Sequence, residues 1–190
     1  DPHPFLTDAQ LYFCDMSMFG LKLPTDPRWV DIAEKNIEEV LIDHAWCEQK
    51  AASSAISMIV HYPEKSELVA AMIELSKEEL DHFQMVHKRI LDRGLVLGKP
   101  RRDEYVRALL TFFKKDVPRE DKLTHELLIS ALIEARSCER FRLLSEQIKD
   151  KNLAEFYHVL MVSEANHYTL FLNFARQYGD REVVDGKWQS

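Results

Sequence analysis

The pattern Glu-x-x-His occurs twice in this chain, at Glu79–His82 and at Glu164–His167. Residues three apart on an α-helix lie on one face, so each pattern would direct a carboxylate and an imidazole toward the same point. A further glutamate precedes each pattern at a matching distance, with Glu48 lying 31 residues before Glu79 and Glu134 lying 30 residues before Glu164. This repeat indicates a dinuclear metal site inside a four-helix bundle.

Apolar residues recur at steps of three and four in four long stretches, which predicts four long helices. Capping residues, prolines and glycines mark where these helices begin and end. The predicted helices run from Thr25 to about His61, from Ser66 to just before Gly94, from about Arg119 to Lys149, and from about Asn152 to Tyr178. A short extra helix is predicted from Asp103 to Lys115, between the two helix pairs.

A chain of 190 residues is expected to form one domain, here 1–190 with a bundle core at about 25–178. Residues 1–24 would be a lead-in packed on the bundle. Residues 179–190 would be a polar tail for which a frayed end is expected, with docking of Val183, Val184 and Trp188 as the alternative. Only 5 glycines, with 46% hydrophobic residues, favour an all-α class. The apolar run Ala51–Val60 is broken by serines, so no membrane association is expected.

The six candidate metal ligands occupy helix positions that the pattern otherwise fills with apolar residues. They are Glu48, Glu79, His82, Glu134, Glu164 and His167. Four interior carboxylates are costly without cations, and two divalent ions would balance their charge. Carboxylate-rich ligation with one imidazole per ion suits iron or manganese better than zinc or magnesium.

One ligand position has a competitor on the same predicted helix. Glu139 lies five residues beyond Glu134, but the helix phase and the 30-residue spacing both favour Glu134. Glu139 is therefore expected to pair with a nearby arginine, such as Arg136 or Arg140.

Two further groups of residues close to the predicted ligands leave alternatives open. Asp43 and His44, about one turn before Glu48, would either orient a ligand through a hydrogen bond or lie on the surface. Cys47 and Cys138 are interpreted as small core fillers, with a role beside the metal as the alternative. The three cysteines in total, an odd number without Cys-x-x-Cys spacing, favour reduced thiols and a cytoplasmic location.

Positive charge is concentrated in residues 99–119, although the whole chain has a formal net charge of −7. Seven basic residues stand there against three acidic ones. A local basic patch can bind a phosphate backbone even when the net charge of the whole chain is negative. The candidate contacts to nucleic acid are Lys99, Arg101, Arg102, Arg107, Lys114 and Lys115.

Four stretches of the chain carry a resemblance to a known family. They are Asp43–Ala52, Glu78–Phe83, Ile133–Phe141 and Ser163–Tyr168, and the third contains the run Glu-Ala-Arg-Ser-Cys-Glu-Arg-Phe. Over roughly residues 24–178 the chain resembles the tRNA-(2-methylthio-N6-isopentenyl-adenosine) hydroxylases, a ferritin-like family. The resemblance implies a ferritin-like four-helix bundle with a short extra helix between the helix pairs.

The resemblance also implies an activity, that of a non-haem di-iron monooxygenase. Such an enzyme uses O2 and two electrons to hydroxylate the isopentenyl group of a modified adenosine beside the anticodon of tRNA. The six candidate ligands would hold two Fe ions, bridged by an oxo or hydroxo group when oxidised. The implied partners are tRNA, through the basic residues, and an electron-donating reductase or ferredoxin.

Two other functions are compatible with the residues alone. The first is a different di-iron role on the same scaffold, such as a small-molecule oxidase, a peroxidase or an iron-handling protein. The second is a metal-free helical interaction protein. Metal analysis separates the second from the rest, because about two irons per chain are expected for a di-iron protein.

Overall fold

The computed structural model describes residues 21–101, 104–111 and 116–189 of the chain. Within these residues all regular secondary structure is helical, which confirms the all-α prediction. The helices are α1 (Arg28–Lys35), α2 (Ile37–His61), α3 (Ser66–Asp92), α4 (Glu104–Thr111), α5 (Arg119–Gln147), α6 (Lys151–Tyr178) and α7 (Arg181–Gln189). None of the described helices has the length and apolar character needed to cross a membrane.

The described helices belong to two compact units. The α2–α3 unit covers Asp31–Glu104, and the α5–α6 unit combines the described parts of Asp1–Val30 and Tyr105–Ser190. Helices α2 and α3 pack against each other in the first unit, and α5 packs against α6 in the second. The single domain expected from chain length stays a prediction.

The α2–α3 unit is a helical hairpin whose ends match the sequence signals. Helix α2 stops at His61 because Tyr62 leaves helical geometry ahead of Pro63, and the backbone N–H of Tyr62 donates to the carbonyl of Met58 at 2.9 Å. Helix α3 ends before Gly94, whose φ of +70° is a conformation that favours glycine. The predicted inner stripe of α3 is buried throughout: Leu68, Met72, Leu75, Glu79, His82, Val86 and Ile90.

The α5–α6 unit has a tight connection between its two long helices. Asp150 caps α6, since its side chain accepts hydrogen bonds from the backbone N–H groups of Asn152 and Leu153 at 3.0 and 3.2 Å. At the other end of α6, a Cβ on Gly179 would lie only 2.8 Å from Cγ2 of Thr124. Glycine at position 179 therefore allows the end of α6 to approach α5 closely.

The predicted first helix is wrong in one respect, because the chain forms two helices there instead of one. Asn36, at the junction of α1 and α2, has φ −126° and ψ 31°, which is not helical. Its side-chain amide donates to the carbonyl of Ile32 at 2.8 Å. Asparagine side chains compete in this way with helical backbone hydrogen bonds, so the chain pauses at Asn36 before α2 begins.

The predicted frayed tail is also wrong, because residues 181–189 form helix α7 and pack on the α5–α6 unit. Val184 is fully buried, and the Trp188 ring lies 5.4 Å from the Tyr168 ring on α6. The Arg176 guanidinium on α6 also donates to Asp185 at 2.7 Å. Buried apolar area and a partly buried ion pair together hold this short helix in place.

Helix α4 covers part of the predicted short helix, and Asp103 and residues 112–115 lie outside the described residues. None of the residues of α4 is buried. The lead-in is described from residue 21 onward, where 21–24 is non-helical.

Candidate metal centre

The α2–α3 unit brings together the first three predicted ligands, which we name the first half-site: Glu48, Glu79 and His82. Glu48 comes from α2 and the other two from α3, and all three are buried, with Glu79 only 1% exposed. The Nδ1 atom of His82 lies 3.5 Å from Oε2 of Glu79 and 3.7 Å from Oε2 of Glu48. Each residue offers one ligand atom, and these three atoms lie within 4.8 Å of one another.

The electrostatics of the first half-site favour a bound cation. Burial alone would lower the pKa of His82, but the nearby carboxylates of Glu48 and Glu79 outweigh burial and raise it to about 9. Burial alone would raise the pKa of Glu48, but His44 and His82 lower it well below its ordinary range. Two buried carboxylates thus attract positive charge, which the His82 proton supplies when no metal is bound.

The α5–α6 unit brings together the other three predicted ligands, which we name the second half-site: Glu134, Glu164 and His167. Glu134 comes from α5, and Glu164 and His167 come from adjacent turns of α6. All three are buried, and their ligand atoms also lie within 4.8 Å of one another. Each unit therefore carries one Glu and one Glu-x-x-His in its interior, as the spacing predicts.

Glu139 is buried as deeply as any ligand candidate, yet it has a different role. Its carboxylate accepts hydrogen bonds from the backbone N–H and hydroxyl of Thr25, at 2.9 and 2.7 Å. Arg136 donates to it at 2.5 Å and also to the carbonyl of Leu23 at 2.9 Å. The predicted pairing with Arg136 is confirmed, and we call Leu23, Thr25, Arg136 and Glu139 the N-terminal lock.

Asp43 and His44 were each expected either to orient a ligand through a hydrogen bond or to lie on the surface, and the structure gives a different answer for each. His44 is buried, and its Nε2 lies 2.5 Å from Oε1 of Glu48 one turn later. Asp43 is exposed. Sequence spacing placed both residues near the ligand but could not tell which of them faces the interior.

The cysteines divide in a similar way. Cys138 is fully buried, and its thiol donates to the carbonyl of Met161 at 3.4 Å, as expected of a core filler. Cys47 is exposed, so its interpretation as a core filler is wrong. His44 and Glu48, four residues apart, share the buried face of α2, and Cys47 is turned by about 100° from its neighbour Glu48, which leaves it on the solvent side.

Three of the candidate basic contacts lie in the described part of the chain, and all three are exposed: Lys99, Arg101 and Arg107. Arg101 forms an ion pair with Glu39 on α2, and both side chains remain at least half exposed. Arg102, Lys114 and Lys115 lie outside the described residues.

The donor chemistry of both half-sites fits a metal of the iron or manganese type. Each offers two carboxylates and one imidazole, a mixture that suits these ions better than the nitrogen and sulfur ligands typical of structural zinc. The geometry and the donor set together define a helical protein in which each of two units buries a carboxylate–histidine cluster that could hold a metal ion.

Comparisons with known proteins agree with this class. A family model described as tRNA-(MS2IO6A)-hydroxylase (MiaE) matches residues 14–190. A tRNA 2-(methylsulfanyl)-N(6)-isopentenyladenosine(37) hydroxylase from Pseudomonas putida is 40% identical, covering 86% of this chain and 78% of that protein. The protein of the same name from Salmonella typhimurium is 27% identical, covering 86% of this chain and 77% of that protein. The chain belongs to the tRNA-(MS2IO6A)-hydroxylase family.

A solved structure extends the comparison to the fold. It is described as protein 43 with aldehyde deformylating oxygenase activity from Synechococcus, and it is 37% identical to this chain. The likeness covers 89% of this chain and 83% of that one with a TM-score of 0.84. The ferritin-like prediction is confirmed.

Proposed function

We propose that this protein is an O2-dependent di-iron hydroxylase that acts on the isopentenyl group of 2-methylthio-N6-isopentenyl-adenosine in tRNA. The observation that carries the proposal is the burial of a Glu and a Glu-x-x-His set in each helix pair of a member of this family. The substrate class comes from the names of the two relatives. A cytoplasmic location accords with a tRNA substrate.

The six residues of the first and second half-sites are proposed as the ligands of two iron ions. The support is the donor set of each half-site, the matched 31- and 30-residue spacings, and family membership. When bound, the iron pair would supply activation of O2. The chain's own contribution is to hold the ions with six buried side chains, whose burial keeps bulk water away from them.

The stoichiometry of hydroxylation requires an electron donor. One oxygen atom of O2 enters a C–H bond of the prenyl group, and the other leaves as water after taking up two electrons and two protons. The electrons are proposed to come from a reductase or a ferredoxin. Electron transfer to buried ions requires only that the electron donor approach the protein surface closely.

The tRNA is proposed to contact the basic segment through Lys99, Arg101, Arg102, Arg107, Lys114 and Lys115. Lys99 and Arg107 are both exposed, so they are the pair chosen for the test. The double variant Lys99→Ala/Arg107→Ala should lower the slope of log affinity against log salt by about 1.4 to 1.8, for two phosphate contacts. Lys77→Ala/Lys88→Ala removes the same charge from α3 and should leave the slope unchanged, and equal effects of the two pairs would refute the assignment.

The proposed reaction is tested on tRNA that carries the prenylated nucleoside. Iron-loaded protein, a reductant and O2 should add one oxygen atom to that nucleoside, measured by mass spectrometry of digested tRNA. Glu79→Ala should abolish the product and lose bound iron. Glu74→Ala is the control on α3, because this exposed residue forms only a surface ion pair with Lys77.

A second candidate reaction comes from the structural neighbour, whose description names aldehyde deformylating oxygenase activity. Iron-loaded protein should therefore also be assayed with an aldehyde under the same conditions. Turnover of the aldehyde with no change in tRNA would replace the proposed substrate while leaving the iron site in place.

A further inference from the structure

The two halves of the chain match in ligand spacing but differ one helical turn before the first ligand of each half. In the first half that position is His44, and in the second it is Ser130, four residues before Glu134. His44 is buried, and its Nε2 lies 2.5 Å from Oε1 of Glu48. A serine side chain is too short to make the same contact from that position.

We infer that His44 is a positioning residue that holds one oxygen of Glu48 and so commits Glu48 to bind metal through the other. The inference rests on the metal centre proposed above and concerns one ion only, the one held by the first half-site.

The geometry around Glu48 separates its two carboxylate oxygens. Oε1 faces His44, whereas Oε2 lies 3.7 Å from Nδ1 of His82. The same Nδ1 atom is 3.5 Å from Oε2 of Glu79, so Oε2 of Glu48 points toward the other two ligands of its half-site. Oε2 is therefore the oxygen that can share an ion with His82 and Glu79.

The chemistry of the contact between His44 and Glu48 determines which of the two donates the hydrogen bond. A carboxylate that ligates a metal carries no proton, so the bond must run from the Nε2–H of His44 to Oε1 of Glu48. A charge-assisted bond of this kind opposes rotation of the carboxylate and competes with the metal for Oε1. Glu48 would then stay a one-oxygen ligand, while Glu134 has no histidine at the equivalent position.

A series of substitutions at position 44 tests the hydrogen bond separately from packing. In His44→Gln the amide nitrogen can take the place of Nε2, whereas in His44→Asn the same group is one methylene too short to reach Glu48. His44→Leu removes the donor and keeps a similar volume. His61→Gln and His61→Leu are matched controls on α2, because His61 is exposed and lies near Ser57 at 3.3 Å.

Cobalt(II) binding to the metal-free chain gives a readout that needs no turnover. Titration would be followed by visible absorption, which reports the number of ligands on each ion, and affinities by competition with a chelator. Loss of a hydrogen bond to a metal ligand typically lowers affinity about 10- to 100-fold. His44→Asn and His44→Leu should lose that much at one of two cobalt ions, with a changed spectrum, and His44→Gln should stay within a few-fold of wild type.

The outcomes distinguish the inference from the metal centre beneath it. Wild-type protein that binds no cobalt would refute the metal centre itself. If wild-type protein binds cobalt, the Gln and Asn variants decide the role of His44. An equal loss of cobalt affinity in both variants, or no loss in either, would refute the hydrogen-bond role of His44. Equal loss at both ions would refute its restriction to the first half-site. Circular dichroism of each metal-free variant checks the fold, and the Gln and Asn pair decides the question if the Leu variant does not fold.

Discussion

The N-terminal lock predicts a large effect from a single isosteric substitution, Glu139→Gln. The new side chain can still accept from the backbone N–H of Thr25, which contacts Oε1 at 2.9 Å. At the Oε2 position it places an NH2 group, which cannot accept from Arg136 or from the Thr25 hydroxyl, now at 2.5 and 2.7 Å. The hydrogen bond from Arg136 is lost, and the Thr25 hydroxyl keeps a partner only by accepting from the new NH2 group, which replaces a bond to a charged group by a weaker neutral one.

The size of the loss follows from burial. Hydrogen bonds to charged groups contribute about 1.5 to 3 kcal/mol and neutral ones about 0.5 to 1.5 kcal/mol, so losing one charged bond and weakening another costs about 2.5 to 4.5 kcal/mol. Arg136 keeps its bond to the Leu23 carbonyl, and its side chain is 17% exposed, so water replaces part of what it loses. We therefore expect the lower end, about 3 kcal/mol, which corresponds to a roughly 150-fold larger population with the lock open.

Limited digestion with trypsin measures this opening, because Lys22 lies immediately before the locked residues. Cleavage after Lys22 should become about 100-fold faster in Glu139→Gln if opening is local and rapid. Glu146→Gln is the control, since Glu146 pairs with Arg142 on the same helix at 3.5 Å but is half exposed. A cleavage rate for Glu139→Gln within a few-fold of the control would refute the argument that this buried carboxylate holds residues 23–25 on α5.

Two other predictions concern protons and helix ends. In metal-free protein burial lowers the pKa of His82, but Glu48 and Glu79 outweigh burial and raise it to about 9. The protonated His82 side chain therefore stabilises the fold by an amount on the order of 3 kcal/mol. This stabilisation is complete below pH 6.5, the approximate pKa of the unfolded state, and is lost as pH rises through 9. Urea unfolding of metal-free protein should therefore show a free energy of unfolding that falls from pH 7 to 9.5. His82→Gln should remove most of that fall. A fall of the same size in the variant would contradict the assignment of the fall to His82. Asp150→Ala should lower the free energy of unfolding by about 1 kcal/mol through loss of the α6 cap, with the exposed Asp92→Ala as a control that changes it little.

Local patterns predicted the parts of the fold that depend on helix phase. The buried stripe of α3 is the one expected from steps of three and four, because burying one face of a helix requires that period. The interruption at Asn36 was missed, since asparagine is tolerated inside many helices and only the local backbone reveals its bond to Ile32. For residues 181–189 the sequence offers Val184 and Trp188 as docking residues, but a polar tail favours fraying, and helix α7 is stable because those two side chains pack on other helices.

In the candidate site, too, features set by spacing within one helix could be predicted, whereas contacts between residues far apart in the chain could not. Both half-sites were predictable, because each Glu-x-x-His lies within one helical turn and the companion glutamates repeat at nearly equal distances. The inward position of His44 was left open, because two adjacent polar residues on one helix offer no signal of which faces inward. The lock of Glu139 joins residues 114 positions apart in the chain, and no local pattern connects them.

The close approach of α6 to α5 at Gly179 has a consequence for how this sequence can change over evolutionary time. Any larger residue at position 179 would place its Cβ within 2.8 and 2.9 Å of the two branches of the Thr124 side chain. Only alanine or glycine at position 124 removes both branches. Positions 124 and 179 should therefore covary across related sequences, with residues other than glycine at 179 accompanied by a smaller residue at 124.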